Sequence, residues 1–206
     1  LLASSAASDV YKRQPILPHA KLDWTISKFE ETVLAEPENL DARLKLAQCM
    51  WSRGWMHEGG EADCAAALQG ARRVLQDDPT SVLALVVAGG SLVCMGRSEA
   101  AEKYLKQALA VEPHRPDLNL AFGALALEMG DVGQAVRWFE GACRAASDAW
   151  ETHLMLGQSL MRLAKSNDPR RPIERASYHF VRAMQLEPTP DQHPRLLRDM
   201  GVCCML

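Results

Sequence analysis

The stretch SVLALVVAGGSLVCMGRSEAAEKYLKQALAVEP, residues 81–113, decides the fold. Apolar residues recur three and four apart on both sides of Gly96, the pattern of two helices that each bury a stripe. Gly96 falls where the first helix must stop and turn, because glycine takes the left-handed conformation without penalty. The stretch therefore reads as helix, turn, helix, closed by the tripeptide VEP.

That closing recurs along the chain: VLAEPEN at 33–39, VLQDDPT at 74–80, ALAVEPH at 108–114 and AMQLEPT at 183–189. Pro79 and Pro113 are 34 residues apart, and 34 more reach Ser147 at the end of CRAAS. Between these endings the two-helix pattern returns as PDLNLAFGALALEMG followed by DVGQAVRWFEGACRAAS, with Gly130 as the stop and Pro116 in a first helical turn that needs no N–H there. In this the chain resembles the tetratricopeptide repeat (TPR) family, whose unit is a 34-residue helix-turn-helix. The family's small residue in the first helix is matched by Gly89, Gly123 and Gly157, preceded by Ala88, Phe122 and Leu156 at its large apolar position. Its small residue in the second helix is matched by Ala67, Ala101, Ala135 and Ala176. Its large residue four positions on is matched by Phe29, Leu105, Phe139 and Phe180, with Ala71 a weak occupant, and its later alanine by Ala108, Ala142 and Ala183.

The resemblance implies an all-α fold, an α-solenoid of antiparallel helix pairs wound into a TPR superhelix. Small residues let two helices cross at close range and large ones fill the space beside the crossing. One pair cannot bury its own apolar face, so units must stack. The register predicts a half unit at 19–39, full units at 40–81, 82–115, 116–149 and 150–190, and a half unit at 191–206. The first and fourth full units are longer than 34 residues, and the extra residues are expected between their helices, at WMHEGGEA (55–62) and SNDPRRP (166–172).

Residues 1–18 fit none of this and read as a non-native or disordered leader. Within them ASSAASDVYKRQ resembles the translated read-through of a sequencing adapter. With a second helix first in the array and an apolar first helix last, the expectation is a fragment, of the kind assembled from mixed environmental DNA.

The bulk numbers agree with one helical-repeat domain. Of 206 residues 48% are hydrophobic and 24% charged, which suits a packed core rather than disorder. A net charge of −3, from 23 basic and 26 acidic residues well mixed, supplies no field for a phosphate backbone, so no nucleic-acid partner is expected. No apolar run approaches the about 18 residues of a membrane span. The six cysteines (Cys49, Cys64, Cys94, Cys143, Cys203, Cys204) form no CxxC pair and read as reduced thiols in a cytoplasmic chain.

Chemistry-bearing clusters are few. HEGGEADC gathers His57, Glu58, Glu61, Asp63 and Cys64, but lacks a second cluster with metal spacing and reads as a polar loop. Arg170, Arg171 and Arg175 read as a solvated basic loop, and the vicinal Cys203 and Cys204 as core packing. No nucleophile elbow, phosphate loop or metalloprotease motif occurs, so the chain is expected not to be an enzyme and to hold no cofactor and no metal.

The resemblance implies that first helices line a concave groove, where family members often bind peptides. The corresponding positions are Leu44, Lys45, Gln48 and Trp51; Val86, Val87, Gly90 and Val93; Leu120, Ala121, Ala124 and Leu127; and Leu154, Met155, Gln158 and Met161. The groove reads as apolar and suits an amphipathic helix or an extended apolar peptide. About four anchors at roughly 2 kcal/mol each, less ordering costs, imply micromolar affinity or weaker. Val87 and Ala121 occupy places where the subfamily that grips chaperone-tail carboxylates carries polar or basic groups, and Asp117 has the wrong sign for that task. The expected function is thus a non-catalytic protein-interaction scaffold with a protein or peptide partner, its groove to be tested by Leu120→Asp and Leu154→Asp. The alternative is the regulatory or substrate-recruiting TPR region of a larger enzyme.

Overall fold

The computed structural model describes residues 19–56, 60–164 and 170–186, and all of their regular structure is helical. The leader, His57, Glu58, residues 166–169, Cys203, Cys204 and the final half unit lie outside the described residues. In chain order the helices are α1 (His19–Ala35), α2 (Leu40–Met56), α3 (Gly60–Asp77), α4 (Val82–Cys94), α5 (Ser98–Val111), α6 (Pro116–Glu128), α7 (Val132–Ala145), α8 (Trp150–Ala164) and α9 (Arg170–Leu186).

The turns inside the two middle units have a common cause. Gly96 and Gly130 adopt φ of +67° and +80°. At each, two backbone bonds close the helix end: Gly96 N–H donates to Val93 O and Arg97 N–H to Leu92 O, and Gly130 N–H donates to Leu127 O and Asp131 N–H to Ala126 O. These are the paired bonds of a Schellman motif, which satisfy carbonyls a helix end otherwise leaves open. The next helix starts at once, and Asp131 caps α7 by accepting from Gln134 N–H at 2.8 Å.

Every helix packs on the next along the chain, and α2 packs on α4 and α4 on α6 as well. The first helices α2, α4 and α6 therefore lie side by side, as stacked units of a solenoid do. Close crossings occur where the small residues predicted them. A Cβ on Gly89 would lie 2.5 Å from Leu105 Cδ2, one on Gly123 2.5 Å from Phe139 Cε1, and one on Gly157 2.6 Å from Phe180 Cε1. Ala67, Ala101, Ala135 and Ala176 are wholly enclosed, as are Ala108, Ala142 and Ala183. Two apolar clusters result, one running from α2 to α6 and one from α6 to α9, with Trp55 and Trp138 packed against both.

The extra residues are used differently from the loop expectation. Trp55 and Met56 extend α2, and Gly60, Glu61 and Ala62 open α3, so both helices of that unit are lengthened (17 and 18 residues, against 13 and 14 for α4 and α5). Likewise Arg170, Arg171 and Arg175 stand on α9 rather than in a loop. Longer helices add backbone hydrogen bonds and side-chain contacts that a loop of equal length lacks, which is why the insertion is taken up as helix.

Candidate interaction face

The first helices α2, α4, α6 and α8 carry the sixteen groove positions, and the structure divides them by burial. Val86 and Val87 are fully enclosed, and Val93, Leu120, Leu154, Met155 and Trp51 are buried too. Leu44, Gln48, Ala124, Leu127, Gln158 and Met161 are half-buried and Lys45 is exposed. The enclosure has a visible source in Trp51, whose ring stacks on Trp55 with centroids 5.7 Å apart and planes 11° from parallel. Gly90 makes room for it, since a Cβ there would lie 2.3 Å from Trp51 Cζ2. Gly89 and Gly90 thus serve different neighbours, one the second helix of the same unit and the other the tryptophan of the preceding unit. Sequence spacing assigned Gly90 to the groove; only packing shows that an aromatic ring occupies its face.

Leu120 and Leu154 are core residues, 8% and 1% exposed, so an aspartate at either would act on folding before it acted on a partner. Of the residues that retain surface, Leu127 on α6 and Met161 on α8 sit in the last turns of their helices. Asp117 is bound by its neighbour, accepting from Arg115 Nη2 at 2.7 Å and Nε at 3.0 Å. Val87 and Ala121 are enclosed. None of the three offers a group to a carboxylate.

Asp63 and Cys64 of HEGGEADC have structural duties. Asp63 takes both Nε and Nη2 of Arg53, at 2.5 and 2.8 Å, while Arg53 Nη1 reaches Asp23 at 2.9 Å. One guanidinium therefore ties α1, α2 and α3 together in a bidentate fork and a single bond. Cys64 beside it is wholly buried, and a hydrogen bond to Cys94 together with burial raises its pKa. Cys49, Cys64, Cys94 and Cys143 are free thiols. Arg175 of α9 reaches Glu140 of α7 at 2.5 Å.

A constellation the sequence did not reveal lies where the third unit meets the fourth. His153 near the start of α8 places Nδ1 2.9 Å from His179 Nδ1 of α9 and 3.9 Å from Cys143 Sγ of α7. The two rings stack with centroids 5.1 Å apart. Desolvation by burial lowers the pKa of both, that of His179 to about 4 with help from His153 and Arg175, so both imidazoles are neutral at pH 7. In the sequence these residues stand ten and twenty-six positions apart and form no motif. An open cleft of about 650 Å³ is lined by His114, Asn119 of α6, and Gln134, Arg137, Trp138 and Arg144 of α7, among others.

The fold and its crossings define the class: an all-α solenoid of stacked antiparallel helix pairs. Residues 92–154, from α4 into α8, match the tetratricopeptide repeat family. No curated protein matches by sequence. Among solved structures the chain is similar to TTC0263, a thermophilic TPR protein of Thermus thermophilus, with 18% identity, a TM-score of 0.67, and 91% of this chain and 92% of that one covered. It is also similar to the human IFIT1 dimer with PPP-AAAA (17% identity, TM-score 0.71, 89% of this chain and 41% of that) and with m7Gppp-AAAA (18%, 0.72, 89% and 42%). The chain thus spans about two fifths of the length of IFIT1. At these identities the likeness concerns the fold. IFIT1 is seen there with PPP-AAAA and with m7Gppp-AAAA, and the expected exclusion of nucleic acid is not supported. No described helix is long and apolar enough to cross a membrane.

Proposed function

We propose that the chain is a non-catalytic interaction scaffold that holds a partner's amphipathic helix or extended apolar segment along its first-helix layer. A TPR-type solenoid suits such a role because its stacked units present one extended surface built from repeated positions. The observation that carries the reading is the row of half-buried residues on that layer, Leu44 and Gln48 on α2, Leu127 on α6, and Gln158 and Met161 on α8. Apolar anchors flanked by side-chain amides give both burial and backbone-directed hydrogen bonds, which is what an extended or helical peptide requires. Trp51, Val86, Val87, Val93, Leu120, Leu154 and Met155 act in this reading as the rigid floor beneath those anchors. A cytoplasmic setting, where the thiols stay reduced, is part of the proposal.

The test is selection of peptides from a displayed random library against the full chain, followed by fluorescence anisotropy. Enriched peptides should bind Leu127→Asp and Met161→Asp at least about tenfold more weakly, the loss of about 1.4 kcal/mol or more that removing an apolar anchor entails. Unchanged circular dichroism would show that the fold persists. Peptides that bind both variants as they bind the parent would refute the placement.

A further inference from the structure

The joint between α7, α8 and α9 brings one thiol and two imidazoles onto a common point. Cys143, His153 and His179 each offer a ligand atom, and all three atoms lie within 4.8 Å of one another. We infer that these three residues form a binding site for a borderline transition-metal ion of the Zn²⁺ type, with a fourth coordination position open.

Three features support the assignment. The first is size. A tetrahedral ion with nitrogen ligands at about 2.0–2.1 Å and a thiolate at about 2.3 Å sets nitrogens about 3.3 Å apart and nitrogen from sulfur about 3.6 Å apart. The separations found, 2.9 Å between the two Nδ1 atoms and 3.9 Å from Nδ1 to Sγ, straddle those values. Changes of a few tenths of an ångström at these two edges, and closure of the third edge, from Cys143 Sγ to His179, from within 4.8 Å to about 3.6 Å, bring the three atoms onto a metal.

The second is orientation. His153 Nε2 lies 3.3 Å from the carbonyl of Ser147, so this nitrogen carries the proton and donates it, leaving the Nδ1 lone pair turned toward His179 and Cys143. A ligating histidine held by its outer N–H on a backbone carbonyl is the usual arrangement behind a metal, because it fixes tautomer and ring angle together. In the metal-free state one proton must lie between the facing Nδ1 atoms. On binding, that proton moves to Nε2 of His179, the Cys143 thiol gives its proton to solvent, and the ion takes the vacated space.

The third is donor type and access. A thiolate with two imidazoles selects Zn²⁺ and its neighbours over Mg²⁺ or Ca²⁺, which require oxygen ligands. His153 is buried while Cys143 and His179 are half-buried, so an ion has a route in. Three protein ligands plus an open place is the pattern of sites that take water or an incoming group rather than of closed structural sites. Arg175 and Glu140 pair across α9 and α7 beside the cluster.

The experiment is titration of the reduced full chain with Co²⁺, a coloured stand-in for Zn²⁺, followed by displacement with Zn²⁺. One equivalent of Co²⁺ should give tetrahedral visible bands and a thiolate charge-transfer band. Cys143→Ser and His179→Gln should each weaken Zn²⁺ by more than the roughly 10–100-fold that loss of an outer-sphere partner produces. X-ray absorption of the Zn²⁺ form of the unaltered chain should count one sulfur and two imidazole nitrogens, a readout that does not depend on the variants folding. Failure to bind Co²⁺ tetrahedrally, a sulfur count of two or more, or wild-type Zn²⁺ affinity in both variants would overturn the inference.

Discussion

Replacing Gly123 by alanine puts a methyl group where the ring of Phe139 already sits. The new Cβ would lie 2.5 Å from Cε1, 2.6 Å from Cζ and 2.7 Å from Cδ1, whereas ordinary contact begins at 3.4 Å. Phe139 is wholly buried and its ring is rigid, so the α6 and α7 backbones must separate by several tenths of an ångström. Overpacking of this kind costs about 1–3 kcal/mol. Alanine recovers about 1 kcal/mol through helix propensity, leaving a net loss of about 1 kcal/mol. Gly141, on α7 and facing α6, is the control. A Cβ there meets Asn119 Nδ2 at 3.4 Å and Cγ at 3.6 Å, which is ordinary contact. Gly141→Ala should therefore stabilise by about 0.5–1 kcal/mol. At roughly 2–4 °C per kcal/mol for a chain of this size, the two variants should melt about 3–8 °C apart, on opposite sides of the parent, in far-ultraviolet circular dichroism. The cost of Gly123→Ala should fall in a Phe139→Leu background, with a coupling of at least about 0.5 kcal/mol. A shift of the same sign for both glycines, or no coupling to Phe139, would refute the crossing as the reason for glycine.

Three further outcomes are expected. Arg53→Met strands Asp63, whose side chain is only 12% exposed, and should destabilise by about 2 kcal/mol in urea melts, more than Asp23→Asn, which removes the exposed arm of the same pair. Gly130→Ala should cost about 1–2 kcal/mol, because φ of +80° places an L-residue in the left-handed region; Gly130→Asn should cost less. Leu154→Asp should abolish the cooperative melt, whereas Met161→Asp, one residue beyond the buried Leu160, should leave it nearly unchanged; equal melts would contradict the division of α8 into floor and rim.

Helices and their packing partners were legible in the sequence because they rest on local rules. A 3.6-residue stripe, glycine at φ > 0 and a small residue opposite a large one are set by backbone sterics and by the spacing between two helices joined by a short turn. Hence Gly96 and Gly130 ended helices as expected, and Gly89, Gly123 and Gly157 met Leu105, Phe139 and Phe180. What the sequence could not supply is the relation between units, which depends on how far one pair rotates on the next. That rotation carries Trp51 over Gly90, closes Val86 and Val87 inside, and turns half of an apolar groove into core. It also collects Cys143, His153 and His179 from three helices onto one point, where no spacing rule connects them. Local rules within the chain specify an array of helix pairs; packing between units sets which faces of those pairs remain open and which side chains meet across the joints.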